Sequence, residues 1–209
     1  MLRRTLIAAL AVCAFGAAPI RGQNTWREQA NRLAGLLDWH SGSVVAEIGA
    51  GDGELTLEAA RRVGASGRVY STELDARRLA HLEKLAAKQK NMTAVKAAEA
   101  DTNLPAGCCD SIFLRLVYHH LTRPEEIDAS LFRSLKPGGR LAVIDEEPLP
   151  GSSVPEGVPE NRGGHGVPQK ILIGELTAAG FKVENVYDEW PSRDETHLIY
   201  CVVFRKAGP

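Results

Sequence analysis

The residues richest in chemical content stand between positions 44 and 53, where Val44-Val45-Ala46-Glu47-Ile48 runs into Gly49-Ala50-Gly51-Asp52-Gly53. Glycine at every second position weakens helix and strand alike. It suits a chain that turns sharply and lets a ligand lie against its backbone. A strand feeding such a turn and then a helix presents unpaired N–H groups and a partial positive charge, an arrangement that binds nucleotides. Glu73 follows Gly53 by 20 residues. That is the distance needed to run along one helix and return on the neighbouring strand, and a carboxylate there can accept from both hydroxyls of a ribose. Farther along, His119 and His120 leave the end of an apolar run, and His165 lies in a glycine-rich segment. An imidazole at such a place serves either as a general base or as a cap on the strand end.

These residues must be positioned by a core, and 209 residues, 44% of them hydrophobic and 24% charged, are enough for one sizeable domain. Apolar runs at residues 44–48, 68–73, 93–97, 111–117 and 140–144 read as strands. Amphipathic stretches at 23–40, 54–63, 75–88, 124–135 and 167–179 read as helices, the first capped by Asn24 or Thr25. Residues 136–139 read as a tight turn. Two further strands, 181–187 and 198–204, follow one another around a charged turn at 191–195. The alternation predicts a doubly wound α/β fold: a mostly parallel seven-stranded sheet with helices on both faces and an antiparallel hairpin at one edge. Residues 148–166, rich in Pro, Gly and Ser, form a loop long enough to be functional.

A formal charge of −1 gives no sign of a nucleic-acid partner. There is no paired Cys-x-x-Cys signature, so no metal is expected. Adjacent Cys108 and Cys109 are expected to remain unbridged, and Cys13 and Cys201 to be free thiols. Arg3 and Arg4 precede an apolar stretch at 6–18 and a run of small residues. That pattern predicts a signal peptide over residues 1–22, a single domain over 23–209, export to a periplasmic or extracellular space, and no membrane span after leader removal.

In order and spacing, these segments resemble the class I S-adenosylmethionine-dependent methyltransferases of small-molecule type, over roughly residues 44–205. Residues 47–53 match the family's first motif, and Glu73 its ribose-binding acid. Residues 98–101 resemble the segment beside the adenine, residues 110–112 with 117–121 the fourth strand and its exit, and residues 135–141 the turn into the fifth. The resemblance implies an S-adenosylmethionine site on Glu47, Gly49, Gly51, Asp52, Gly53, Glu73, Glu99 and Asp101, with Asp101 favoured over Glu99 at the adenine. It places Glu47 and Asp52 as negative charge near the ammonium and sulfonium. It implies a small-molecule acceptor beyond the fourth and fifth strands, where Tyr118, His119, His120, Asp145 and Glu146 arrive, with His119 or His120 as first candidate for a base and His165 second. A nicotinamide-dependent oxidoreductase fits less well, because its fingerprint wants glycine at the position of Glu54. An exported, inactive binding or scaffold protein is the other alternative. The leader motivates it, since S-adenosylmethionine is made in the cytoplasm, and cytoplasmic residence is the alternative to export for the same reason.

Overall fold

The computed structural model describes residues 26–191 and 198–208. The proposed leader, Cys13, the Asn24 or Thr25 cap and most of the charged turn near residue 195 lie outside the described residues. Strands β1 (Val44–Ile48), β2 (Arg68–Glu73), β3 (Met92–Lys96), β4 (Cys109–Arg115), β5 (Leu135–Glu146), β6 (Phe181–Tyr187) and β7 (Ile199–Lys206) alternate with helices α1 (Trp26–Leu37), α2 (Glu54–Val63), α3 (Ala76–Ala86), α4 (Pro124–Ser134) and α5 (Gln169–Ala178). They form one sheet of order β3-β2-β1-β4-β5-β7-β6. β1 pairs parallel with β2 and β4, and β7 runs antiparallel between β5 and β6. The order reverses at β1, which opens a crevice at the carboxyl ends of β1 and β4.

The two faces are read off successive residues. Along β5, Leu141 and Val143 join the core under α4 and α5, whereas Ala142 and Ile144 join the core under α1 and α2. β7 divides the same way, Val202 and Phe204 against Cys201 and Val203. Burial on both faces is why these strands are continuous apolar runs. α3 begins at an Asp75 cap whose carboxylate accepts the Arg77 and Arg78 N–H groups.

Three expectations are revised. Residues 136–139 do turn, but as a bulge inside β5: Leu135 pairs with Cys109 and Arg140 with Ser111, with a register shift between the two pairs. β4 ends at Arg115, two residues early, because Leu116 takes φ 54°, which no strand accommodates. Cys108 and Cys109 are bridged to each other; they sit where the β4 ladder begins irregularly, so the regular extended backbone that would hold their sulfurs apart is not imposed. Cys201 is free and buried, as expected. No helix among the described residues is long and apolar enough to cross a membrane.

Candidate active site

The glycine turn joins β1 to α2, and each glycine takes positive φ, 65° at Gly49, 57° at Gly51 and 81° at Gly53. Their surroundings differ. A Cβ on Gly49 would lie 2.7 Å from a methyl of Val117, and one on Gly53 would lie 2.8 Å from Leu82 Cδ2, but one on Gly51 would meet nothing within 4 Å. Packing excludes a side chain at the outer two positions. A Cβ added at Gly51 alone would point into open space, so at Gly49 and Gly53 packing also accounts for the glycine.

Glu73, buried at the end of β2, ties the turn in place. Its Oε2 accepts the Gly51 N–H at 3.0 Å, and its Oε1 accepts the N–H groups of Leu74 and Asp75 at 2.8 and 3.1 Å. Oε2 therefore keeps a lone pair for a further donor. Beside it lies a cleft of about 150 Å³ walled by Ile48, Gly49, Leu74, Ala98, Val117 and Ile127, with Glu99, His120 and Thr122 on its lining. A hollow of about 750 Å³ opens at the other end of the sheet, around Gly67 and Asn91. It lacks the glycine turn and sits at the amino ends of the strands, the end at which ligands of open α/β sheets do not bind.

The remaining acids divide. Glu99 lines the cleft, whereas the Asp101 carboxylate accepts from the Ser130 hydroxyl and the Arg133 guanidinium, both on α4. That placement reverses the preference for Asp101. Burial raises the Asp101 carboxyl, but hydrogen bonds from Asn103 N–H and Ser130 together with Arg133 hold it below its usual range. Asp52 is exposed and borders a separate hollow with Asp75 and Arg78. Glu47 points under α2, where the Thr56 hydroxyl donates to it. Burial outweighs that bond and pushes its carboxyl up to about 8. Near neutral pH this raised carboxyl disfavours the negative charge expected of Glu47.

The three histidines converge. The positive-φ residue Leu116 ends β4, and a 3-10 turn over Tyr118–His120 follows. It carries His119 inward to 2% exposure, with Nδ1 2.5 Å from Asp145 Oδ1 at the end of β5. Asp145 also accepts the His119 and Glu146 N–H groups, so the ring nitrogen is the donor of the short bond. His165 reaches the same place from the long loop. Gly166 makes this possible, since a Cβ there would stand 2.7 Å from Pro148 Cα and 2.8 Å from the Glu146 carbonyl. His165 Nδ1 lies 3.1 Å from Glu146 Oε1. Ring centroids are 4.1 Å apart for His119–His120, 4.7 Å for His119–His165 and 5.2 Å for His120–His165. Burial, then the neighbouring His119 and His165, hold His120 below the usual imidazole range. Sequence spacing singles out each histidine but not their meeting, because His165 lies on an irregular loop.

Arg162 anchors that loop. Its side chain is fully buried, and Nη1 donates to both Glu175 oxygens of α5 at 2.9 Å. The Tyr118 hydroxyl lies 2.8 Å from Asp128 Oδ2 and 2.9 Å from Glu175 Oε2. One hydroxyl proton cannot serve both acceptors. Burial pushes the Asp128 carboxyl up to about 7 against the lowering effect of the Tyr118 bond. Although Arg162 lies in the 148–166 loop, its side chain turns inward to Glu175 rather than toward the cleft.

Comparison with known proteins agrees with this arrangement. The family described as "Methyltransferase domain" matches residues 46–143. The ubiquinone/menaquinone biosynthesis C-methyltransferase UbiE of Pseudomonas paraeruginosa is 33% identical over 123 residues, covering 57% of this chain and 47% of that protein. The 2-phytyl-1,4-naphtoquinone methyltransferase of Nostoc punctiforme is 33% identical over 125 residues, covering 57% and 52%. The chain thus spans about half the length of the curated relatives it matches. Among solved structures, a SAM-dependent methyltransferase from Aquifex aeolicus superposes with TM-score 0.68 at 22% identity, covering 85% of this chain and 89% of that one, which shows the shared fold.

Proposed function

We propose that the chain is a class I S-adenosylmethionine-dependent methyltransferase, as its match to a methyltransferase domain over residues 46–143 supports, and that it transfers a methyl group from S-adenosylmethionine to a small-molecule acceptor bound beside the three histidines. The observation that carries the reading is Glu73 holding the Gly51 N–H while Glu73 and Gly49 line an apolar cleft, with open space where a Gly51 Cβ would stand. The fit is chemical as well as steric. Oε2 of Glu73 retains capacity for a ribose hydroxyl, the walls from Leu74, Ala98 and Ile127 suit the faces of an adenine, and Glu99 can accept from its amine. When bound, S-adenosylmethionine supplies an electrophilic methyl on a sulfonium.

The chain's own contribution is positioning and proton handling. The loop anchored by Arg162 brings His165 beside His120, which lines the cleft. His120, on the cleft wall and held neutral at pH 7, is placed to take a proton from an acceptor hydroxyl or acidic C–H. Orientation of the acceptor supplies much of the remaining rate. The names of the quinone C-methyltransferase relatives support a hydroxylated aromatic ring as the first acceptor class to try. Labelled methyl transfer from S-adenosylmethionine to a panel of quinols and small phenols tests the reading; incorporation into at least one member is expected, and none with any member contradicts this acceptor class.

The leader-like pattern of Arg3-Arg4 and residues 6–18 supports export. N-terminal sequencing of the native protein checks this. A start near residue 23 is expected, and an intact Met1 in the mature protein contradicts it.

A further inference from the structure

We propose that His119, His120 and His165 form a binding site for one divalent first-row transition ion of the zinc type, a site separate from the S-adenosylmethionine cradle though beside it. Each of the three rings offers a nitrogen, and these nitrogens all lie within 4.8 Å of one another. Three imidazoles with a fourth position left open are the ligand set of catalytic zinc sites, and imidazole suits zinc and its neighbours. Nitrogens bound at about 2.0–2.1 Å around a tetrahedral ion stand about 3.4 Å apart. The cluster therefore needs to close by roughly an ångström, within the reach of the half-exposed His165 side chain and the exposed His120.

Two further observations point the same way. The His119 Nε2 is buried and has no hydrogen-bond partner among the described residues. An orphaned buried ring nitrogen is costly, and a lone pair directed at a cation removes that cost. Its tautomer is already set: Nδ1 donates to Asp145, whose oxygens also accept two backbone N–H groups, so Nε2 carries the lone pair. His165 repeats the device, its Nδ1 3.1 Å from Glu146 Oε1. A carboxylate behind each of two ligating imidazoles is the outer shell that orients metal-binding histidines and raises their basicity. A plain stack of neutral rings explains the centroid spacing but leaves the buried nitrogen without a partner.

His120 lines the cleft as well as offering a ligand nitrogen. An ion held there would engage His120 as a ligand in place of a base, and would itself hold an acceptor oxygen and ease its deprotonation; this role rests on the methyltransferase reading, whereas the binding site does not. The test uses the untagged full-length chain, stripped with chelator and titrated calorimetrically with Zn²⁺, with the visible spectrum of the Co²⁺-substituted protein as second readout. One-to-one Zn²⁺ binding and a tetrahedral Co²⁺ spectrum are expected. Asp145→Asn should weaken Zn²⁺ about 10–100-fold, and His165→Ala should abolish both signals. Circular dichroism of His165→Ala, a surface change, confirms that its fold is intact. No stoichiometric Zn²⁺ binding by the wild type, or unchanged affinity in His165→Ala, overturns the proposal. S-adenosylhomocysteine titrated into the same metal-free preparations reports the cofactor site independently, so one reading can fail while the other stands.

Discussion

Replacing the three glycines of the turn by alanine, one at a time, separates packing from ligand space. Each carries positive φ, so each alanine costs about 1–2 kcal/mol in backbone strain. At Gly51 that is the whole cost, because its Cβ would meet nothing within 4 Å. At Gly49 the new methyl would stand 2.7 and 2.9 Å from the two methyls of Val117, a β-branched side chain with little rotamer freedom. Overpacking adds about 1–3 kcal/mol there, for a total near 2–5. At Gly53 the neighbours are the flexible ends of Leu82 and Leu85, at 2.8 and 3.0 Å, so an intermediate loss follows. Cofactor affinity ranks in a different order. The Gly51→Ala methyl enters the space assigned to S-adenosylmethionine, and a loss of at least about tenfold, 1.4 kcal/mol, is expected although this variant is the most stable of the three. Urea midpoints give the stability order, and calorimetric titration with S-adenosylhomocysteine gives affinity. A Gly51→Ala protein that binds within twofold of wild type refutes the placement of the ligand. One that is less stable than Gly49→Ala refutes the packing argument.

Two further variants probe buried charge. Glu47 has its carboxyl raised to about 8 against 4.5 when unfolded. The folded state therefore holds the extra proton between those values, and its contribution to stability is full below pH 4.5 and lost as pH rises through 8. The slope is about 1.4 kcal/mol per pH unit at most. Asp128, raised to about 7, tilts the same way, so the comparison is between wild type and Glu47→Gln. The variant should lose less stability between pH 5 and pH 8.5, and parallel curves from urea unfolding would contradict the burial argument. Arg162→Met should destabilise toward the lower end of about 3–5 kcal/mol, since Glu175 is 24% exposed and partly rehydrates. Pairing it with Glu175→Leu should recover much of the loss in thermal unfolding, and equal loss in single and double variants would contradict the pairing.

Much of this molecule is legible in its sequence, for a definite reason. β1, β4, β5 and β7 are buried on both faces, so their composition announces them, and glycines at 49, 51 and 53 mark the turn between β1 and α2. The bounds of α2 and β6 are those the pattern predicts. What pattern cannot supply is direction. Asp101 and Glu99 are two residues apart on one loop, yet only Glu99 lines the cleft, because Arg133 and Ser130 on α4 draw Asp101 away. Glu47 sits in the expected motif, but burial under α2 raises its carboxyl in spite of the Thr56 bond. His165 joins His119 through the backbone path at Gly166, where a close approach to Glu146 and Pro148 admits no side chain. These are tertiary facts without a local periodicity to betray them.

The methyltransferase reading turns on whether Glu73 and the space beside Gly51 hold S-adenosylmethionine. Equilibrium titration of the purified full-length chain with S-adenosylmethionine, run beside NAD, measures that directly. One-to-one binding of S-adenosylmethionine, lost in Glu73→Ala, with no heat from NAD, is the expected result. No binding of S-adenosylmethionine, or binding that Glu73→Ala leaves unchanged, would contradict the site.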